Sequence, residues 1–381
     1  SAQYLSFSKS VKSRQSYPTS RMGAMALLRQ TYMDADWYAA GNMKNKDLSL
    51  EALNNNKNLV QIFEVDNHLD ALRADKTGDK FNIQYTILGG GDEYERIEDI
   101  KKTNAKFIIP VNFQAAYDVS NPVITKYVSL ADMRKWNQQP TNLSVLDKNG
   151  VTFALTTHGL KKTADFHKNI KKAIKYGFSK EKALEALTTI PASIIGNSKV
   201  GNLKVGSHAN FIITSSDIFD DKAIIYENWV QGSKNVVTDM NIKDITGTYN
   251  LSANSKNYEL VISGSGAKQT GAVKLDSTKV KSKFSFKDDE IHITLMEASG
   301  YTRLVGETVN ASNVMQGTAY DDAGNESYWS ASQTMKKEDK KDKKEKKDDE
   351  DLDMTVFPVS YPNIGLGNFT QPKEQTILIK N

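Results

Sequence analysis

An α/β chain with a parallel sheet, followed by a small antiparallel all-β module, is the fold class this sequence predicts, on three observations. Between residues 59 and 155 short apolar runs alternate with helical patterns, and strand–helix alternation with apolar strand cores implies parallel strands buried on both faces. After residue 242 the pattern changes to short alternating runs, recurring roughly every 8–12 residues between Gly, Asn and Asp, as in an antiparallel sandwich or barrel. Residues 336–353 are all charged apart from Leu352, so this tract can join no core and is expected to be a solvated linker or helix.

Taken in order, residues 1–20 are polar with a short apolar patch at 4–7, and Thr19 and Ser20 can cap a helix over 22–40 with Met25, Leu28, Met33 and Trp37 at helical spacing. A helical piece at 48–53 ends in Asn54, Asn55 and Asn56. Strands follow at 59–63, 81–88, 106–111 and 151–155, with helices at 66–74, 92–103 and 130–136 between them. Residues 163–177 form an amphipathic helix on Phe166, Ile170, Ala173 and Ile174, ended by Gly177. Ser179 caps a helix over 180–189, and Pro191 is expected to stop it. Strands are then expected at 248–251, 258–262, 272–275, 283–286, 290–295, 301–306 and 313–320, with hairpin turns at Asp288-Asp289 and Asp322-Ala323-Gly324.

Composition excludes several functions. The chain has 381 residues with no cysteine, so disulfides, thiolate metal sites and cysteine nucleophiles are ruled out. Lys and Arg number 50 against 46 Asp and Glu, for a net charge of +4, and this near balance argues against a nucleic-acid partner. No apolar run of about 18 residues occurs, so no membrane span is expected. Neither G-x-x-x-x-G-K-[ST] nor G-x-S-x-G is present, which removes a P-loop and a serine-hydrolase elbow.

The stretch from Val151 to Lys234 carries a family likeness. A strand ends in Thr156-Thr157-His158-Gly159, two helices follow, and then come Val200-Gly201-Asn202-Leu203, Gly206, Ala209-Asn210 and the closing Trp229-Val230-Gln231-Gly232-Ser233-Lys234. This succession resembles the C-terminal third of the metal-dependent amidohydrolase superfamily, especially its imidazolonepropionase-like branch. The resemblance, covering residues 20–240, implies an incomplete (β/α)8 TIM-barrel-like domain over 1–200 and a β-sandwich return segment over 201–242. These precede the antiparallel β-module at 243–332, a charged linker at 333–353 and a tail at 354–381. The closing run Thr376 to Asn381 resembles the opening strand of a second such unit, so a tandem protein is expected.

The family places metal ligands and a water-activating Asp at the C-terminal ends of barrel strands, where barrel enzymes keep their working groups. Here those ends offer Glu64 and Asn67, then Gly89-Gly90-Gly91, then Asn112, then Thr157 and His158. The resemblance sets Glu64 at a ligand-His position, the glycines at the next, and His158 at the Asp. The family's His-x-His pair is absent, the histidines being 68, 158, 167, 208 and 292. A catalytic zinc needs about three protein ligands and an open position, and a metal-bound imidazole cannot also take the proton from water. No residue is therefore assigned a catalytic or metal-ligating role, and Glu64, Asn67, Asn112, Thr157 and His158 are pocket candidates. His68 is read as a surface or capping residue, His167 as solvated, His208 as part of a surface turn and His292 as pointing out of a strand. The three glycines are read as a tight strand-to-helix turn.

The function expected is that of a degenerate, non-catalytic amidohydrolase-like scaffold. No cofactor is expected in this chain; by resemblance a competent unit would use zinc. The expected partner is a second unit, or a complementary chain supplying the first barrel strands. The alternative is a binding module for a small molecule, peptide or glycan, with Tyr301, Tyr320, Tyr328 and Trp329 as its platform. A periplasmic or cell-surface setting follows from the family's usual context and the lack of cysteine.

Overall fold

The computed structural model describes residues 1–9, 13–42, 44–240, 243–264, 269–287, 289–298, 300–309 and 314–335. The charged tract and tail, from residue 336 onward, and Asp288 of one expected turn lie outside the described residues. The chain divides into two compact units, one over Ser1–Ser207 and one beginning at His208.

The first unit contains β1 (Ala2–Ser6), α1 (Arg21–Ala39), α2 (Leu48–Asn55), β2 (Val60–Glu64), α3 (His68–Asp79) and β3 (Thr86–Leu88). Next come α4 (Ile97–Lys102), β4 (Lys106–Pro110), α5 (Pro122–Thr125), α6 (Leu130–Gln138), α7 (Asn142–Lys148) and β5 (Phe153–Thr156). Helices α8 (Asp165–Lys175), α9 (Lys180–Leu187) and α10 (Thr189–Ile194) complete it. The strands form one parallel sheet in the order β1-β2-β3-β4-β5. Leu5, Phe63, Ile87, Phe107 and Phe153 are successive register partners across it, and the last four are fully buried. One apolar row therefore spans all five strands, and its burial is the main force holding the sheet together. The arrangement, a parallel sheet with intervening helices, fits a partial TIM-barrel-like domain.

Several expectations are corrected. The polar N-terminal segment contains a strand, β1, because Leu5 and Phe7 alone suffice to seat an edge strand: Phe7 is buried 4.7 Å from the Phe63 ring. The strand expected over 81–88 is confined to Thr86–Leu88, since the chain first turns through Asn82 at φ 55°, with the Phe81 and Ile83 amides both bonded to the Gly78 carbonyl. Helix α1 buries Ala24, Tyr32 and Ala35 and leaves Met33 and Trp37 about half exposed. Its phase is fixed by the buried hydroxyl pair Tyr32–Tyr85, 2.9 Å apart. Pro191 does not end a helix. The break comes at Thr188, and Pro191 falls in the first turn of α10, where a missing N–H costs nothing.

In the second unit β6 (Phe211–Thr214), β7 (Ile225–Val230) and β8 (Ser233–Val236) make a three-stranded antiparallel sheet. The expected pairing of the return segment is present: Phe211 faces Trp229 in register and their rings stack at 5.4 Å. Then β9 (Gly247–Ala253), β10 (Lys256–Ser263), β11 (Thr270–Leu275), β12 (Thr278–Lys287), β13 (Glu290–Glu297), β14 (Gly300–Thr308), β15 (Val314–Tyr320) and β16 (Glu326–Met335) form an antiparallel meander. It closes as an eight-stranded barrel through β16 against β9. Alternate residues of each strand, among them Leu251, Leu260, Ile293, Leu304 and Trp329, fill the interior. Gly306 and Gly317 are register partners, and a Cβ on Gly306 would lie 2.6 Å from the Trp329 ring. Two strands thus forgo side chains where the largest core residue lies. The strand not expected from sequence is β16, whose inward positions include only Trp329 and Ala331 as apolar markers.

Candidate functional site

The C-terminal ends of β2 to β5 share one edge of the parallel sheet. Glu64 ends β2, and His158 lies two residues beyond β5. His158 Nε2 is 3.3 Å from Glu64 Oε1, with both side chains partly exposed. Glu64 and His158 thus meet across the two intervening strands. At about 4.8 Å per strand a flat sheet would hold strand-end backbones some 14 Å apart, and the long Glu64 side chain and the turn that carries His158 beyond β5 bring the two groups together. The other Glu64 oxygen accepts a 2.6 Å hydrogen bond from the Tyr4 hydroxyl on β1. Desolvation first, then the Glu64 carboxylate, holds the Tyr4 phenol above its ordinary range, so it stays a donor to Glu64.

The remaining sequence candidates do not join this pair. Asn67 is the N-cap of α3: its Oδ1 accepts from the Asp70 amide at 3.0 Å and its Nδ2 donates to Asp70 Oδ2 at 3.2 Å. Asn112 is exposed and accepts at its carbonyl from Gln139 Nε2, while its side chain lies against Gly159, where a Cβ would come within 2.8 Å. Thr157 is exposed, and its carbonyl accepts from the Leu160 amide in the turn after β5.

Sequence reasoning missed a second cluster. His68, expected at the surface, is 4% exposed. It begins α3, and its amide donates to Asp92 Oδ1 at 2.8 Å while its Nδ1 lies 3.0 Å from Asp92 Oδ2. Glu95 Oε2 is 3.7 Å from the same nitrogen. The three glycines explain the closeness. Gly90 packs where a Cβ would come within 2.4 Å of the Asp66 carbonyl, and a Cβ on Gly89 would strike the Glu93 carboxyl. The turn is tight, as expected, and it brings Asp92 to the N-terminus of α3, where a carboxylate is favoured. The usable signal was Asp92-x-x-Glu95 directly after the glycines, together with a histidine at a helix start. Glu93 is buried between Asn142 Nδ2 at 2.6 Å and the Gly91 amide at 3.2 Å. Burial, then the neighbouring Asp92, raises its carboxyl above the usual range. His167, expected to be solvated, is half-buried, because the packed side of α8 extends past its apolar stripe to Asn169, which donates to the Val111 carbonyl at 2.7 Å. His208 and His292 are exposed. Trp329 is fully buried in the barrel and cannot belong to an aromatic platform.

Metal-donor capacity differs between the two places. Glu64 and His158 supply two donor groups, and among the described residues the one group of three His, Asp or Glu with converging ligand atoms is His68, Asp92 and Glu95. A catalytic zinc takes three protein ligands plus water, and the Glu64–His158 pair does not fit that requirement within this chain.

Comparison with known proteins finds similarity over part of the chain. No curated protein matches the chain. Among solved structures, an amidohydrolase from Thermotoga maritima MSB8 is similar at 19% identity and a TM-score of 0.46, covering 57% of this chain and 56% of that one. A prolidase solved with N-methylphosphonate-L-proline matches at 15% identity and a TM-score of 0.34, over 47% of this chain and 45% of that one. The chain thus spans about half the length of the solved structures it matches. Residues 131–244 match the family model of the Amidohydrolase family. That segment, less than half of the chain, runs from α6 through the His158 turn to the three-stranded sheet, and over it the chain is similar to the Amidohydrolase family.

Proposed function

We propose that this chain is a catalytically silent amidohydrolase unit that acts as a scaffold or docking partner for a competent one. The observation that carries this reading is the Glu64–His158 contact. At the strand ends where the family holds its metal, a carboxylate and an imidazole pair with each other, and Tyr4 occupies the second carboxylate oxygen. Both Glu64 carboxylate oxygens thus already have a partner within the chain, the Tyr4 hydroxyl and the His158 imidazole. The parallel sheet ends in two edges, β1 and β5, that pair with no further strand among the described residues. A complementary set of strands, in a tandem unit or a second chain, would close it. In that competent unit the chemistry would be zinc-assisted hydrolysis of a C–N bond, in a periplasmic or cell-surface setting.

The test is co-purification followed by native mass spectrometry of the full chain with its neighbouring unit. A complex whose metal-dependent hydrolysis survives His158→Gln in this chain supports the reading. Hydrolysis by this chain alone, abolished by the same substitution, overturns it. A binding role for the barrel is the second reading. Tyr301, Tyr320 and Tyr328 stand on its outer face at 41%, 36% and 66% exposure. Glycan-array or peptide binding lost on Tyr328→Ala would support it.

A further inference from the structure

We propose that His68, Asp92 and Glu95 form a structural site for a divalent cation of the zinc class, separate from the Glu64–His158 pair. Each of the three residues offers one ligand atom within 4.8 Å of the others, and His68 Nδ1 faces Asp92 Oδ2 and Glu95 Oε2. The two distances from Nδ1 are 3.0 and 3.7 Å. Donors bound tetrahedrally at about 2.0–2.1 Å are about 3.3 Å apart, so these spacings bracket what zinc requires. One imidazole with two carboxylates also suits zinc or manganese better than calcium or magnesium, which favour oxygen donors alone.

The site is built before any cation arrives. The three side chains are 5%, 6% and 11% exposed, and Asp92 is held by its second oxygen on the His68 amide. The close backbone approach at Gly90 fixes the β3–α4 turn against the start of α3. A second observation is independent of these spacings: His68 Nε2 is buried and has no hydrogen-bond partner. The ring is therefore held only through the Nδ1 edge that faces the carboxylates, which is the edge a cation would use. A cation would take the Nδ1 lone pair of the neutral ring, whose single hydrogen then lies on Nε2. Lys135 Nζ, 4.0 Å from Asp92 Oδ2 and half exposed, is a competing positive charge that can swing out to water. The cation would tie the β2–α3 turn to the β3–α4 turn.

The test uses the full chain, stripped with chelator and titrated with Zn2+, Mn2+ and, for its absorption spectrum, Co2+. The expected result is one equivalent bound, with a rise in thermal midpoint. Affinity should fall at least tenfold in Glu95→Gln and in Asp92→Asn and stay unchanged in Glu64→Gln and His158→Gln. Lys135→Ala, which removes the competing charge without touching a ligand, should bind more tightly, so the test survives a ligand variant that fails to fold. Substoichiometric uptake by the wild type, unchanged affinity in a folded Glu95→Gln chain, or loss of binding in His158→Gln would each overturn the proposal.

Discussion

The eight-stranded barrel of the second unit and the five-stranded parallel sheet of the first handle their edges in opposite ways. The barrel pairs β16 with β9 and leaves no strand unpaired, which removes edge exposure altogether. Among the described residues the parallel sheet ends at β1 and β5, and its polar work is done at strand ends by paired side chains. A closed wall concentrates stability in its interior, whereas an open one relies on the turns and helix starts that pin its strands. Substitutions should therefore act through packing in the barrel and through charge in the sheet unit.

The largest effect should come from Trp329→Ala. The ring is fully buried, its Nε1 donates to the Val305 carbonyl at 3.0 Å, and it packs against Gly306. Loss of about 3–5 kcal/mol is expected, read as a drop in the denaturant midpoint. A loss under about 1 kcal/mol would show that the barrel core is not what closes the module. Asp70→Asn comes next. Asp70 is buried at the start of α3 and receives both Arg21 and Arg73, the latter at 2.7 Å. Both arginines are partly exposed and can rehydrate, so a cost of about 2 kcal/mol is expected rather than the larger figure for a fully buried pair.

Asp75 gives a smaller effect of opposite sign. Burial first, then Asp79, raises its carboxyl from 3.8 to about 6, with Gln84 opposing. Between about pH 4 and pH 6 the native chain holds this proton more tightly than the unfolded chain, so the contribution of this group to stability falls as pH rises through that window. Asp75→Asn should therefore stabilise the protein by about 1 kcal/mol at neutral pH, discounted because the residue is partly exposed, and change little near pH 4. Equal gains at both pH values would break the account. The smallest effect is expected at Glu64→Gln. This partly exposed contact should contribute less than about 0.5 kcal/mol, and a thermal melt indistinguishable from wild type is the predicted outcome.

The same contrast explains what could be read from sequence. Seven of the eight barrel strands were legible because inward and outward residues alternate along each. The eighth was not, since β16 carries Ser, Gln and Thr around Trp329 and Ala331. In the first unit the strands with short apolar runs, β2 and β4, were plain. The edge strand β1 was hidden because its inward face reads Gln3, Leu5 and then Phe7, with a polar residue at its start. Glu64 and His158 could be picked out as strand-end residues, and the structure joins them. The His68 cluster was misread because its three members are spread over two turns, and their meeting depends on glycine packing that no local pattern records. The family likeness was carried by the region after Val151, and the matched segment 131–244 includes it.

The central claim is that the strand-end pair Glu64–His158 performs no hydrolysis. The most direct measurement is turnover of a panel of C–N substrates by the full chain in excess zinc, with Glu64→Gln and His158→Gln alongside. The account predicts that all three proteins stay at the uncatalysed background. Metal-dependent turnover in the wild type that disappears in either variant would contradict it.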